Sequence, residues 1–213
     1  MTDHQPIRGE EAAKTYVTKW TTPETMQRLE HYTDLLLDEN QRQNLISKPS
    51  EAQLWERHIA DSAQLLEFVP RETYGNLAPG RWVDLGTGPG LPGLVIAILC
   101  PQIPVTLVES RARRVEFLER CVVELGLDNC AVLGERLERI EPFEAWVISA
   151  RAFAPLEKLL RLSAPFSTKR TRYLLPKGRS AAHELAEAKK SIRTMFHVKQ
   201  SLTDPEAGII VSK

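Results

Sequence analysis

Arg81-Trp82-Val83-Asp84-Leu85-Gly86-Thr87-Gly88-Pro89-Gly90-Leu91-Pro92-Gly93 is a short apolar run, an aspartate and then three glycines at alternate positions. The apolar segment Leu94–Leu99 follows directly. Glycine lets the backbone take positive φ and lets a ligand approach where a Cβ would stand. A strand, a glycine turn and a helix in that order leave backbone N–H groups free at the start of the helix. The stretch therefore predicts a site for a nucleotide-type cofactor in an α/β fold.

The spacing narrows the choice of cofactor. A dinucleotide loop reads G-x-G-x-x-G and seats a pyrophosphate; here the spacing is G-x-G-x-G at Gly86, Gly88 and Gly90. Asp84, two residues ahead of Gly86, is a poor neighbour for a pyrophosphate and a good one for a cofactor with a cationic end. Val105-Thr106-Leu107-Val108 is a second apolar run, closed by Glu109, which lies 19 residues after Gly90. An acid at that point accepts hydrogen bonds from ribose hydroxyls. An adenosine with a ribose acceptor, a cationic tail and no phosphate contact is S-adenosylmethionine. The alternative is a plain Gly-Pro surface turn between strand and helix.

Length and composition suit one α/β domain with an appendage. The chain has 213 residues, 42% hydrophobic and 26% charged, as in ordinary globular proteins. No apolar run is long enough to cross a membrane, and residues 1–20 are polar, so neither a membrane span nor a signal peptide is expected. Cys100, Cys121 and Cys130 form no C-x-x-C pair and read as buried free thiols of a cytoplasmic protein. The net charge is zero but unevenly spread. Residues 1–68 hold twelve acids and seven bases, whereas residues 158–199 hold eleven bases and two acids, Glu184 and Glu187. A basic stretch attracts polyanions, RNA first among them. A solvated face is the alternative.

Residues 9–69 read as helices. Thr22 is placed to cap a helix with Pro23 in its first position, and Met26, Leu29, Tyr32, Leu36 and Leu37 recur at helical spacing. Asn40 to Pro49 reads as a polar connection, Ser50 as a second cap, and Pro70 to Gly80 as the boundary of a core, dividing a helical extension (1–70) from residues 71–213. Strands are expected at Trp82–Leu85, Val105–Val108, Cys130–Leu133, Trp146–Ser149 and Tyr173–Leu175. Helices are expected at Leu91–Leu99, Arg111–Gly126, Pro155–Leu162 and Ala181–Lys190. Alternation with short connections predicts a Rossmann-like, mostly parallel sheet. Thr194–Lys199 and Gly208–Val211 are candidates for a terminal antiparallel pair.

Several side chains stand where chemistry is expected. Ser149, Arg151 and Phe153 follow the fourth strand, at the edge where open parallel sheets bind ligands. Arg151 can grip a phosphate or a carboxylate, and Phe153 can stack on a base. The alternative makes Arg151 a surface ion pair and Phe153 core. Arg111, Arg113 and Arg114 open a helix, where positive charge opposes the macrodipole unless it serves a ligand. Lys169, Arg170 and Arg172 precede the fifth strand, and Lys177 and Arg179 follow it; these read as clamps on an RNA backbone. In Arg57-His58-Ile59-Ala60-Asp61-Ser62, His58 and Asp61 share a helix face. The readings there are a hydrogen-bonded core histidine, a lid over the ligand, or a metal site that lacks further ligands. No Ser-His-Asp order, P-loop or H-E-x-x-H supports a hydrolase or a kinase.

Taken together, R-H-I-A-D-S at 57–62, W-V-D-L-G-T-G-P-G-L-P-G at 82–93, S-A-R-A-F-A at 149–154 and L-P-K-G-R at 175–179 resemble the RsmG (GidB) family of bacterial methyltransferases. Those enzymes act on guanine N7 in 16S ribosomal RNA. The resemblance runs from Asn40 to about Lys199. It implies a class I S-adenosylmethionine-dependent fold. It also implies Gly86 and Leu91 near the methionine and ribose, Glu109 on the ribose, Leu137 and Glu138 beside the adenine, and Arg151 near the transfer point. With Asp84, Gly88 and Gly90 these make up the expected cofactor site, and Arg111, Arg114, Arg170, Arg172, Lys177 and Arg179 the expected RNA contacts. No metal is expected, and no catalytic base, because N7 carries a lone pair and no proton. The implied partner is 16S rRNA in the small subunit or its assembly intermediate, met by a monomer away from membranes. In many relatives Ser directly precedes the Arg of the substrate loop; here Ala150 intervenes. The rival readings are a methyltransferase of the same fold with another RNA or small-molecule acceptor, and a non-catalytic RNA-binding module.

Overall fold

The computed structural model describes residues 6–70 and 80–213. The expected boundary with Gly75, Asn76 and Pro79 falls outside those residues. The chain opens with α1 (Glu10–Val17) and α2 (Pro23–Gln43), followed by α3 (Lys48–Glu51), a π-helical segment at Trp55–Ala60 and α4 (Asp61–Ala63). Next come β1 (Arg81–Leu85), α5 (Gly93–Leu99), β2 (Val105–Val108), α6 (Ala112–Glu124), β3 (Cys130–Leu133), β4 (Ala145–Ser149) and α7 (Leu156–Ser163). β5 (Ser167–Gly178), α8 (Ala181–Glu187), α9 (Lys190–Met195), β6 (Phe196–Gln200) and β7 (Gly208–Ser212) complete the fold.

The strands form one sheet in the order β3-β2-β1-β4-β5-β7-β6. β1 to β5 are mutually parallel, and β7 runs antiparallel to both β5 and β6. α5 is apolar on every side and wholly buried, as such a helix must be. It lies between the sheet and the N-terminal helices. One continuous apolar cluster joins Ile7, Leu29, Tyr32 and Ile59 to Leu94, Ile98 and Leu107, so the extension is packed into the core. A second cluster, with Leu156, Leu159, Phe166 and Leu175, covers the opposite face. All three cysteines are free. No described helix is long and apolar enough to cross a membrane.

Local chemistry explains most boundaries. The Thr22 hydroxyl accepts from the Thr25 amide at 3.2 Å, the Thr25 hydroxyl accepts from the Thr22 amide at 2.8 Å, and Pro23 follows. This is a reciprocal cap. The polar segment after Asn40 differs from the sequence reading. α2 continues to Gln43 and ends at Asn44, whose φ is +47°. Asn40 is polar because it serves two segments: its Oδ1 accepts from the Ile46 amide and its Nδ2 donates to Glu51. Ser50 lies inside α3 and is not its cap. The helix expected over 181–190 divides into α8 and α9, where the Lys189 amide donates instead to Glu157 on α7. β5 is far longer than its apolar centre, since its ends are polar and exposed.

Candidate active site

The order 3-2-1-4-5 makes β1 and β4 neighbours and places the topological switch between them. In open α/β sheets, ligands sit beyond the carboxyl ends of the strands at that switch. The loop after β1 carries Gly86, Gly88 and Gly90; the loop after β4 carries Arg151 and Phe153. Residues far apart in the chain thus meet at one edge of the sheet.

The glycine loop is held by buried hydrogen bonds. Asp84 is fully buried; its Oδ2 accepts from the Gly93 amide at 2.9 Å and its Oδ1 from the Ser149 hydroxyl at 2.7 Å. Ser149 in turn accepts from the Trp82 indole N–H at 2.8 Å. Burial pushes the Asp84 carboxyl up, against the hydrogen bonds from Ser149 and Gly93. Asp84 and Ser149, expected at the cofactor and in the loop after β4, are both buried on their strands and joined to each other, where they fasten the glycine loop. Leu91 is likewise buried. A Cβ on Gly90 would meet Leu94 Cδ1 at 2.3 Å, so that glycine serves close packing.

Tyr32 of α2 adds a support that sequence reading assigned only to the core. Its hydroxyl donates to the Pro89 carbonyl at 2.9 Å, and burial holds the phenol well above its ordinary range. Tyr32→Phe is expected to cost about 1 kcal/mol of stability, the scale of one hydrogen bond, and to loosen the loop. Urea unfolding reads the first effect and calorimetric titration of S-adenosylmethionine the second. Unchanged cofactor affinity would confine Tyr32 to packing.

A cleft of about 370 Å³ opens between the glycine loop and the ends of β2 and β3. Gly86, Val108, Glu109, Arg111, Arg114, Leu137, Glu138 and Phe153 are among its lining residues. Glu109 Oε1 accepts from the Ser110 and Arg111 amides at 2.7 and 2.9 Å, while Oε2 lies 3.5 Å from the Arg114 guanidinium. The first pair fixes the carboxylate; the second oxygen is within ion-pair range of Arg114. Gly88, at φ +61°, has Arg114 Nη1 at 3.7 Å as the nearest atom to a would-be Cβ. A side chain there would meet no protein atom closer than that. A Cβ on Gly86 would instead strike the Phe153 ring at 2.5 Å.

A larger cavity, about 1110 Å³, lies on the other side of Phe153 and meets the cleft at Ala152, Phe153 and Ala154. Arg57, His58, Asp61 and Arg151 form one wall. The π-helical turn that carries His58 has its first two amides taken by the Glu10 carboxylate, each at 3.0 Å. His58 Nδ1 lies 3.2 Å from Arg151 Nη1, and its Nε2 lies 3.0 Å from Ser50 Oγ. Ser50 already donates to the Ser47 carbonyl at 2.7 Å. Arginine only donates, so the network assigns the proton to Nε2 and leaves Nδ1 as the acceptor. Asp61 Oδ2 is 3.7 Å from Arg151, and its Oδ1 accepts from Thr203 and Gln64. Ala152, next in the loop, has φ +53°, a strained value for a residue with a Cβ. No group of metal ligands exists among the described residues.

Burial, and then the charges of Arg151 and Arg57, lower the His58 pKa to about 3. The unfolded chain titrates this group near pH 6.5. Between those values the unfolded state holds the extra proton, so this term is complete above about pH 6.5 and is lost on acidification. Its limiting slope is about 1.4 kcal/mol per pH unit. Urea unfolding at pH 7, 6 and 5 is expected to fall more steeply for the wild type than for His58→Gln. Parallel slopes would place the His58 titration at its ordinary value.

The basic stretch does not form one surface. Arg170 sits at the amino-terminal end of β5 and Lys177 near the carboxyl end, about 23 Å away at 3.3 Å per residue. Arg172 donates to the Phe68 carbonyl at 3.0 Å, fastening β5 to the N-terminal helices. The Lys177 ammonium is buried and donates to the Ala154 carbonyl at 2.6 Å and to Glu184 at 3.0 Å. Glu184 also accepts from the Leu156 amide. Arg179 pairs with Glu206 at 2.5 Å on the surface. Arg170 thus lies at the opposite end of β5 from Lys177, and Arg172, Lys177 and Arg179 each have a protein partner. Lys177 holds the loop after β4 instead. Arg111 and Arg114 line the cleft beside Glu109.

Comparison with known proteins bears on this site. The family described as rRNA small subunit methyltransferase G matches residues 25–208. A ribosomal RNA small subunit methyltransferase G from Erythrobacter litoralis is 54% identical over 207 residues, covering 97% of each chain. A protein of the same name from Novosphingobium aromaticivorans is 55% identical, covering 89% of this chain and 80% of its own. Among solved structures, an MtNAS variant in complex with S-adenosylmethionine aligns with TM-score 0.54 at 20% identity, covering 99% of this chain and 86% of that one. A putative S-adenosylmethionine-dependent methyltransferase from Methanococcus maripaludis aligns with TM-score 0.56 at 10% identity, covering 71% and 84%. At those identities the likeness is one of fold.

Proposed function

The chain belongs to the rRNA small subunit methyltransferase G family, and from that premise we propose that it transfers a methyl group from S-adenosylmethionine to N7 of a guanine in 16S rRNA. The observation that carries the site assignment is the cleft lined by Gly86, Glu109, Leu137 and Glu138 beyond the ends of β2 and β3, with space for a side chain at nearby Gly88. When bound there, S-adenosylmethionine supplies an electrophilic methyl group on a sulfonium. Glu109 would accept from the ribose, Leu137 and Val108 would wall the adenine with Glu138 at its edge, and Gly88 would leave room for the remainder. Arg111 and Arg114 border the same cleft. The target base enters from the larger cavity, past Phe153 and under Arg151.

Guanine N7 offers a lone pair and has no proton to lose. The protein's task is then alignment and exclusion of water. This agrees with His58, whose only free lone pair is committed to Arg151. The acceptor RNA belongs to the small subunit or its assembling precursor, and the enzyme works as a cytoplasmic monomer without a membrane contact. We divide the chain into a helical extension, described over residues 6–70, that braces the methyltransferase core, described over residues 80–213.

The test is transfer of labelled methyl from S-adenosylmethionine to small subunits from a strain lacking this protein, followed by mapping of the modified base. Label on a single guanine, as the N7 adduct, is expected. Binding without turnover would favour an RNA-binding module, and label on another acceptor would replace the rRNA assignment.

A further inference from the structure

His58 and Asp61 lie 93 and 90 positions before Arg151 in the chain, yet both reach its guanidinium. The geometry is asymmetric. His58 Nδ1 accepts from Arg151 at 3.2 Å, and Asp61 stands 3.7 Å away, within ion-pair range but beyond a hydrogen bond. Asp61 is itself held by Thr203 Oγ1 at 2.8 Å and Gln64 Nε2 at 2.7 Å. His58 is held by Ser50, which is anchored on the Ser47 carbonyl. Both contacts use Nη1, so the other donors of Arg151 have no protein partner among the described residues. The side chain is 25% exposed and lines the larger cavity.

Arginine has five N–H donors in a rigid fork, suited to bidentate contact with phosphate. A carboxylate hydrogen-bonded to it would compete with such a ligand. An uncharged acceptor orients the fork without neutralising it. His58 is that acceptor, and its lowered pKa keeps it uncharged at working pH. Asp61 supplies attraction at a longer distance and limits the swing of the side chain.

We propose that His58 and Asp61 are positioning residues that hold Arg151 so that its free donors grip a backbone phosphate of the acceptor RNA beside the target base. The proposal rests on the rRNA methyltransferase reading and assigns the arginine–histidine–aspartate cluster to the acceptor.

Two substitutions separate the atoms of the imidazole. The amide of Asn reaches the Nδ1 position, and that of Gln reaches Nε2. His58→Asn keeps an acceptor for Arg151, whereas His58→Gln keeps only the link to Ser50. Methyl transfer to unmethylated small subunits is measured as kcat and acceptor KM, with cofactor Kd by calorimetry on the same proteins. His58→Gln is expected to raise acceptor KM about tenfold, the scale of one hydrogen bond to a charged group. His58→Asn is expected to stay within about threefold of the wild type, and cofactor Kd to move less than twofold in both. In filter binding, Arg151→Ala and His58→Gln are each expected to lower the salt slope by roughly one, the signature of one lost phosphate contact. Equal losses in the Asn and Gln variants, or a salt slope unchanged in Arg151→Ala, would overturn the proposal. A change confined to cofactor Kd would reassign the cluster to the cofactor. Failure of the wild type to methylate any subunit would overturn the rRNA reading and this proposal together.

Discussion

Gly88→Asp abolishes measurable S-adenosylmethionine binding while leaving the fold intact. The two halves of this expectation come from different features of one residue. A Cβ at Gly88 meets no protein atom closer than Arg114 Nη1 at 3.7 Å, an ordinary contact, so the protein itself has room for a side chain. The φ of +61° is in the left-handed region, which Asp enters more readily than most residues. The space the side chain takes is where we place the cofactor, near Arg114. A new carboxylate there also draws Arg114 away from Glu109 Oε2, and it crowds the ligand. The expected loss is at least about a hundredfold in Kd, or roughly 3 kcal/mol. Calorimetric titration reads the affinity, and a thermal melt close to that of the wild type confirms the fold. Full affinity in the variant would move the cofactor out of this cleft. The same test at Gly86 or Gly90 would be ambiguous, because a side chain there collides with Phe153 or Leu94.

Asp84→Ala should show the opposite signature, a large loss of stability. Its carboxylate is the acceptor for two buried donors, the Gly93 amide and the Ser149 hydroxyl. Leaving a buried donor unpaired costs about 1–3 kcal/mol each, so a loss of about 3–5 kcal/mol is expected. For a chain of this size that lowers the melting temperature by on the order of 10 °C. Asp84→Asn keeps the shape and one acceptor oxygen and should recover part of the loss. Chemical denaturation of the three proteins checks the order. If Asp84→Ala melts like the wild type and loses only cofactor affinity, Asp84 faces the ligand, as its place in the motif first suggests.

The chain order and the fold class were legible in the sequence, because local spacing encodes them. Trp82 to Leu85 followed by alternate glycines can hardly be anything but a strand and a turn. An all-apolar Leu94–Leu99 must be buried wherever it lies. Glu109 closes an apolar run, so it falls at the end of a strand. The same logic places Arg151 and Phe153 at the ligand-binding edge, since they follow a strand of a parallel sheet. These features depend on neighbours within a few residues, and a period of two or 3.6 suffices to read them.

The direction of Asp84, the fate of the basic stretch and the partners of Arg151 were decided only by the tertiary structure. Asp84 looks like a ligand for a cationic cofactor until the pairing of β1 with β4 brings the Ser149 hydroxyl to it. The eleven bases of residues 158–199 look like a patch in one dimension. A strand converts that proximity into distance, carrying Arg170 and Lys177 toward opposite ends of β5, while Phe68, Ala154 and Glu206 take up Arg172, Lys177 and Arg179. Tyr32 reaches Pro89 across 57 residues, and His58 reaches Arg151 across 93. No local pattern signals such pairs. They follow from the strand order and from the need of buried polar groups to find partners, and both are settled only when the whole chain is packed.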